Sequence, residues 1–234
     1  MTVWKKITLA LLFIIIFHAG VSCKKSDSES ESYYPLKEGL NWTYQVSSGE
    51  TIDDSDENAI LTISNLEKKY LKLEKVTPQQ ITYKGKSDLK FIIQNEEGIF
   101  EFGKQLYGMG MPEINDPKLF YLKTPVQIGG SWKEIHATQC LPEKMMVPVT
   151  VTIESMDETV TVPAGTYQNC LKLIKKGQFT KNLGEFLGVS NVAVEKAEWY
   201  VKGVGLIKSE ILERSNQVMY GNRLIVQELK AFRG

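Results

Sequence analysis

Histidine is nearly absent from this chain: the 234 residues hold two, His18 and His136. His18 lies in a stretch that reads as a removable leader, so a hydrolytic triad would rest on His136 alone. No Gly-x-Ser-x-Gly elbow accompanies it. Walker loops and dinucleotide fingerprints are missing as well. So is any basic surplus, with 28 Lys and Arg against 28 Asp and Glu, which removes the electrostatic footprint of a nucleic-acid binder. No window of the mature chain repeats its apolar residues at helical spacing. Long hydrophobic runs reduce to one, "ITLALLFIIIF" at 7–17, short of the roughly 20 residues that span a bilayer. These absences predict a non-enzymatic protein with no cofactor, no metal and no nucleic-acid partner.

What is present begins with an address. Lys5 and Lys6 precede the apolar run, as in a signal peptide. Gly20 and Ser22 flank Val21 just before Cys23. Small residues there suit a signal peptidase, and "GVSC" resembles a bacterial lipobox, whose cysteine thiol takes a diacylglyceryl group. It departs from the commoner pattern at Gly20, where leucine is usual. The alternative is an ordinary secretory signal. "KKSDSESES" follows, too polar to bury anything, and reads as a solvated tether. Lysine rather than aspartate at position 24, by resemblance to enterobacterial lipoproteins, favours the outer membrane. The predicted organisation is a signal peptide at 1–22, a lipidated Cys23 and tether at 23–34, and one β-domain at 35–234. The membrane is then a partner through the N-terminal lipid.

The domain itself reads as strands. Leu61 and Ile63 alternate with Thr62 and Ser64, Leu71 and Leu73 with Lys72 and Glu74, and Val149, Val151 and Ile153 with Thr150, Thr152 and Glu154. Leu171 and Leu173 continue the pattern. A period of two implies strands with one packed face and one wet face, the habit of antiparallel sheets. The fold class is therefore all-β: a strongly curved antiparallel meander of about nine to eleven strands, half-barrel or barrel-like, with its edges protected by curvature.

An internal duplication is also predicted. "PLKEGLNW" at 35–42 and "PVQIGGSW" at 125–132 share Pro-x3-Gly-x2-Trp. "LTIS" at 61 aligns with "VTIE" at 151, "YLKLEK" at 70 with "CLKLIK" at 170, and "FIIQNEEGIF" at 91 with "WYVKGVGLI" at 199. Four matches in the same order suggest repeat-like halves at about 35–120 and 125–234, with Trp42 and Trp132 in equivalent places.

"YYPLKEGLNWTY", "VPAGTYQNCLKL" and "EWYVKGVGLIKSE" together resemble motifs of a broad group of uncharacterised bacterial lipoproteins. The resemblance implies an envelope lipoprotein and brings no catalytic residues. By analogy the fold is similar to the open half-barrel of periplasmic lipoprotein carriers, and a fold does not fix a function.

Chemistry-bearing constellations are thin. Glu134, His136 and Cys140 lie close in sequence, but histidine and cysteine at this spacing do not complete a zinc set. Asp54, Asp56 and Asn58 match the start of a calcium loop. Ala59 then stands where glycine is needed and Asn65 where a bidentate glutamate is needed. Cys140 and Cys170 remain after Cys23 is lipidated. In an oxidising compartment they are either a disulfide, worth about 3–4 kcal/mol on the entropic account, or two thiols. Strand parity puts Cys170 opposite Leu171.

Two segments lack strand pattern, 103–124 and 178–190. Read as loops, they either complete the core over the sheet's apolar face or border a pocket for an apolar ligand. That pocket would be built from Tyr107, Met109, Met111, Phe120, Phe179 and Phe186. The function expected first is a cell-envelope lipoprotein acting through contacts with envelope proteins. The alternative is a carrier or sensor of a lipid-like apolar molecule, and an enzyme ranks last.

Overall fold

A computed structural model describes residues 31–49, 59–138, 145–182, 184, 188–216 and 222–234. The expected leader, Cys23, the expected tether up to residue 30, the acidic segment 53–58, Cys140 and Phe186 lie outside the described residues.

Among the described residues thirteen strands form one antiparallel, nearly closed, barrel-shaped sheet. Along its path run β1 (Asn41–Gly49), β2 (Ala59–Asn65), β4 (Glu74–Tyr83), β5 (Lys86–Asn95), β6 (Gly98–Gln105) and β7 (Glu113–Lys123). The other six are β8 (Ser131–Ala137), β9 (Met146–Val162), β10 (Gly165–Asn182), β11 (Val189–Val201), β12 (Gly205–Ser215) and β13 (Asn222–Arg233). A short β3 (Lys69–Leu71) pairs only with β4. Among the described residues no helix is long and apolar enough to cross a membrane.

The spatial order, β7-β6-β5-β4-β2-β1-β13-β12-β11-β10-β9-β8, divides into two six-stranded meanders. The first strand of one, β1, pairs with the last strand of the other, β13, from Asn41↔Arg233 to Gly49↔Leu224. The corresponding junction of β7 with β8 carries no ladder among the described residues, so the barrel has one seam. Trp42 and Trp132 sit on β1 and β8, each the first strand of its meander. Local geometry repeats there. Gly39 and Gly129 both take the left-handed conformation, at φ 82° and 80°, which glycine adopts without steric cost. Gly39 N–H donates to Asn65 O at 3.0 Å and Gly129 N–H to Ile153 O at 2.9 Å.

Strand pairing corrects the sequence alignment in two places. Trp42 faces Ile63 and Trp132 faces Val151, so Val151 corresponds to Ile63, two residues from the expected Leu61. "YLKLEK" is not the counterpart of "CLKLIK". Leu71 and Glu74 bracket a tight turn with Lys72 at φ 52°, leaving Leu73 94% exposed, whereas Leu171 and Leu173 are wholly buried in β10.

The strand count exceeds the expectation because both expected loops are largely strand. Segment 103–124 holds the end of β6 and all of β7, and 178–190 holds the end of β10 and the start of β11. Their polar and aromatic residues lack strict alternation because β7 pairs irregularly with β6, with register shifts on both sides of Phe100 and Glu101. Cys170 is a further correction. Parity placed it opposite Leu171, yet both are fully buried. Bulges at Tyr167/Cys170 and on either side of Lys172, with Asn169 at φ 54°, break the alternation.

The core lies in patches along the barrel wall. One gathers Leu36, Ile92, Leu122, Trp132, Val151, Ile153, Leu171, Leu173 and Tyr200. Leu36 precedes β1, so the segment leading into β1 is packed into the domain. A second patch joins Trp42, Tyr44, Val160, Cys170, Trp199, Ile207 and Leu229. A third, Val76, Phe91, Ile93 and Phe100, is capped by Leu71 of β3.

Candidate functional site

Inward-facing side chains do not fill the barrel. A cavity of about 330 Å³ remains between the meanders, at the small end of ligand pockets, which run from about 300 to 1,000 Å³. One wall is apolar: Trp42 and Tyr44 from β1, Leu61 and Ile63 from β2, Ile81 from β4 and Leu206 from β12. Two of these aromatics have their polar ends satisfied. Trp42 Nε1–H donates to Val204 O at 2.5 Å and Tyr44 O–H to Leu206 O at 2.8 Å. Gly205 lies beside Pro35 and Trp42 at φ 95°, a conformation that favours glycine.

Another part of the lining is charged. On β11 the two-residue period turns Lys196, Glu198 and Tyr200 to the cavity. Lys196 Nζ lies 2.5 Å from Glu198 Oε1, and Lys175 of β10 lies 3.4 Å from Glu198 Oε2 and 2.9 Å from Glu134 Oε2. Lys175 and Lys196 are cross-strand neighbours, so two ammonium groups share the carboxylate between them. Trp132 Nε1–H donates to the other oxygen of Glu134 at 2.7 Å. The repeat tryptophan of the second meander therefore anchors this network.

The first meander supplies a second pair. Lys90 of β5 lies 2.9 Å from Glu101 Oε2. Tyr121 O–H donates to the same oxygen at 2.8 Å and accepts from Lys90 Nζ at 3.1 Å. Asn115 Nδ2 donates to Glu101 Oε1 at 3.1 Å. Tyr34, from the segment before β1, stacks on Tyr121 with ring centres 4.8 Å apart and donates its O–H to Gln79 Oε1 at 2.8 Å. Gln79 Nε2 in turn donates to Asn65 Oδ1 at 2.8 Å. The segment before β1, including Tyr34 at the end of the expected tether, thus forms part of the cavity wall.

Electrostatics follow from this geometry. Burial opposes the charge on Glu198, but Lys175 and Lys196 outweigh it and hold its pKa at about 2. For Glu101, burial is likewise overcome, mainly by Lys90, and the pKa is lowered. Burial disfavours the ammonium of Lys175, yet Glu198 and Glu134 raise its pKa. Lys196 goes the other way: burial, with Lys175 and Lys90 nearby, lowers its pKa despite Glu198. Burial drives Tyr34, Tyr121 and Tyr200 well above the ordinary tyrosine value, so all three stay neutral donors.

A family model described as DUF3108-like matches residues 133–224, less than half of the chain. That stretch carries Glu134, Lys175, Lys196 and Glu198, but not Lys90, Glu101 or Tyr121. Two solved structures are similar at low identity. One is a candidate exported protein with a YmcC-like fold from Bacteroides fragilis, 15% identical, TM-score 0.44, covering 86% of this chain and 98% of that one. The other is a candidate lipoprotein from Parabacteroides distasonis, 13% identical, TM-score 0.39, with the same coverage. No curated protein matches the chain.

The residues singled out in the sequence fall elsewhere. Tyr107, Met109 and Met111 are exposed around the β6–β7 turn, 67%, 39% and 80% accessible. Phe120 is half-buried on β7, 5.2 Å from Phe100 between ring centres. Phe179 is exposed near the end of β10. None of these lines the cavity, because β6, β7 and β10 continue through the segments that were read as covering loops. Cys170 is buried and its thiol donates to Tyr167 O at 3.4 Å; burial raises its pKa. His136 Nε2 lies 2.7 Å from Glu213 Oε1 across the barrel, while Glu134 is engaged by Lys175 and Trp132. No three His, Cys, Asp or Glu side chains converge as a metal site among the described residues. Sequence reading missed the charged wall, since alternation assigns polar residues to water. The available signal was "EKAEWY" at 195–200, where two charged residues and a tyrosine share one face of a strand otherwise rich in valine and alanine.

Proposed function

We propose that this chain is an envelope lipoprotein, anchored through Cys23, that holds a small amphipathic molecule in the barrel without chemically altering it. The cavity carries this reading. A protein acting only through surface contacts gains nothing from an unfilled interior, because side-chain packing there would add stability. Instead the interior juxtaposes an apolar wall of Trp42, Leu61, Ile63 and Leu206 with a polar wall of Lys90, Lys196 and Glu198. Such a division suits a ligand with one greasy and one polar end.

Catalysis is not part of the proposal. The described residues lining the cavity include no serine, threonine, cysteine or histidine. Lys196 is engaged by Glu198 at 2.5 Å, so it is not a free amine poised for attack.

Binding of the neutral dye Nile red to the mature chain tests the reading. Saturable fluorescence enhancement is expected, with affinity lowered at least tenfold by Leu61→Trp, which fills the apolar wall. Absence of enhancement in a folded wild-type protein, or an unchanged titration in the variant, returns the protein to the contact-only reading.

A further inference from the structure

The cavity has two unlike ends. At one, its lining includes Asp88 near the start of β5, Lys104 near the end of β6 and Leu106 just beyond β6. Leu106 is 44% exposed, so this end reaches the surface. At the other end the lining holds Tyr34 and Pro35, with Tyr121 and Tyr200 from the last turns of β7 and β11. Tyr34 belongs to no strand, yet three strands hold it. Its ring stacks on Tyr121 at 4.8 Å and lies 6.5 Å from Tyr200, and its O–H reaches Gln79 of β4 at 2.8 Å.

The backbone on both sides of Tyr34 is pinned as well. Gly203 N–H donates to Ser32 O at 2.8 Å, and Lys202 pairs with Glu31 at 2.8 Å. Asn65 Nδ2 donates to Pro35 O at 3.1 Å and to Lys37 O at 3.0 Å. A second hollow, of about 420 Å³, lies where β5, β7 and β11 finish. Glu31, Ser32 and Tyr33 line it together with Ile99, Leu122 and Met156. Successive residues of one stretch of chain therefore line two spaces, Tyr33 the outer hollow and Tyr34 the inner cavity.

Resting on the amphipath reading above, we infer that Tyr34 is a specificity-determining residue. Its ring closes the inner end of the cavity and sets the longest apolar chain that the barrel accepts. An alkyl chain lying along Trp42, Leu61 and Ile63 runs out of room at this ring. Each methylene buried before that point strengthens binding about fourfold. A methylene beyond it stays in water or displaces the stacked ring, and adds little. With the ring removed, the chain passes towards the outer hollow, where Ile99, Leu122 and Met156 offer further apolar contact. The segment before β1 thereby selects the ligand as well as joining the domain to its expected anchor.

Displacement of Nile red from the mature chain by octanol, decanol, dodecanol and tetradecanol tests this. In the wild type the gain per methylene should stop within the series. In Tyr34→Ala the gain should continue, so that the first alcohol past the wild-type break acts at about tenfold lower concentration on the variant. Tyr34→Phe keeps the ring and should keep the break. Tyr34→Leu, shorter than the ring but still apolar, should move the break in the same direction as alanine, so the test survives an alanine variant that does not fold. A merely loosened fold would weaken all four alcohols alike and leave the break in place. A wild-type series without a break, or a break unmoved in a folded alanine or leucine variant, overturns the role of Tyr34 while leaving the cavity reading in place. Failure of the dye itself to bind the folded wild type overturns both.

Discussion

Replacing Glu198 by glutamine keeps the side-chain shape and removes one charge from the centre of the network. In the folded protein this carboxyl titrates at about 2 against an ordinary 4.5. That difference corresponds to about 3 kcal/mol of stability at neutral pH. Because the folded value is depressed, the contribution is complete above about pH 4.5 and disappears as pH falls towards 2. Loss of the carboxylate also leaves Lys196 without its partner, while Lys175 retains Glu134. Removing one member of a buried pair costs about 3–5 kcal/mol, so the two routes agree. Urea unfolding of Glu198→Gln at pH 7 should therefore show a loss of about 3–5 kcal/mol. Adding Lys196→Met removes the stranded cation and should recover at least half. The gap between wild type and Glu198→Gln should narrow below pH 4 and close near pH 2. A loss under about 1 kcal/mol at pH 7, or a gap that persists unchanged to pH 2, would refute the proposed pairing.

Three further outcomes are expected. Leu36→Ala should destabilise by about 2–4 kcal/mol in urea, because Leu36 is 3% exposed among Trp132, Ile153 and Leu173; a neutral result means the segment before β1 is not part of the core. Gly98→Ala should cost more than about 2 kcal/mol, since Gly98 sits at φ 136° and a Cβ would fall 2.1 Å from Leu122 O across the β6–β7 pairing; thermal melting checks it, and an unshifted transition excludes the close approach. Cys23→Ala should release soluble protein or leave unprocessed precursor on cell fractionation, and a processed, membrane-bound variant removes the lipid anchor from the account.

The fold was legible because a period of two survives burial. Val147, Val149, Val151 and Ile153 alternate in sequence and all four are buried. The paired Pro-x3-Gly-x2-Trp motifs likewise announced two related strand starts, since only a glycine easily takes the positive φ seen at Gly39 and Gly129. Alternation failed wherever the backbone slipped. Bulges buried Cys170 beside Leu171, and a tight turn exposed Leu73 although it shares Leu71's parity.

The site was not legible, and the reason is physical. Period two tells which residues share a face, and hydrophobicity then decides which face is inside. That second step assumes the inside is dry. Here Lys196, Glu198 and Lys90 point inward and are tolerated because each meets an opposite charge: Glu198 two residues along β11 for Lys196, Lys175 on the neighbouring β10 for Glu198, and Glu101 on the neighbouring β6 for Lys90. The cross-strand partners are set by pairing register, which no local pattern encodes. The sequence by itself determined the all-β class, the two strand starts and the absence of catalytic motifs, all of which depend on residues near one another in the chain. Only the tertiary structure decided that the two meanders close through β1 and β13, and that closure brings Lys90, Lys196 and Glu198, with the partners behind them, and an apolar wall around one cavity.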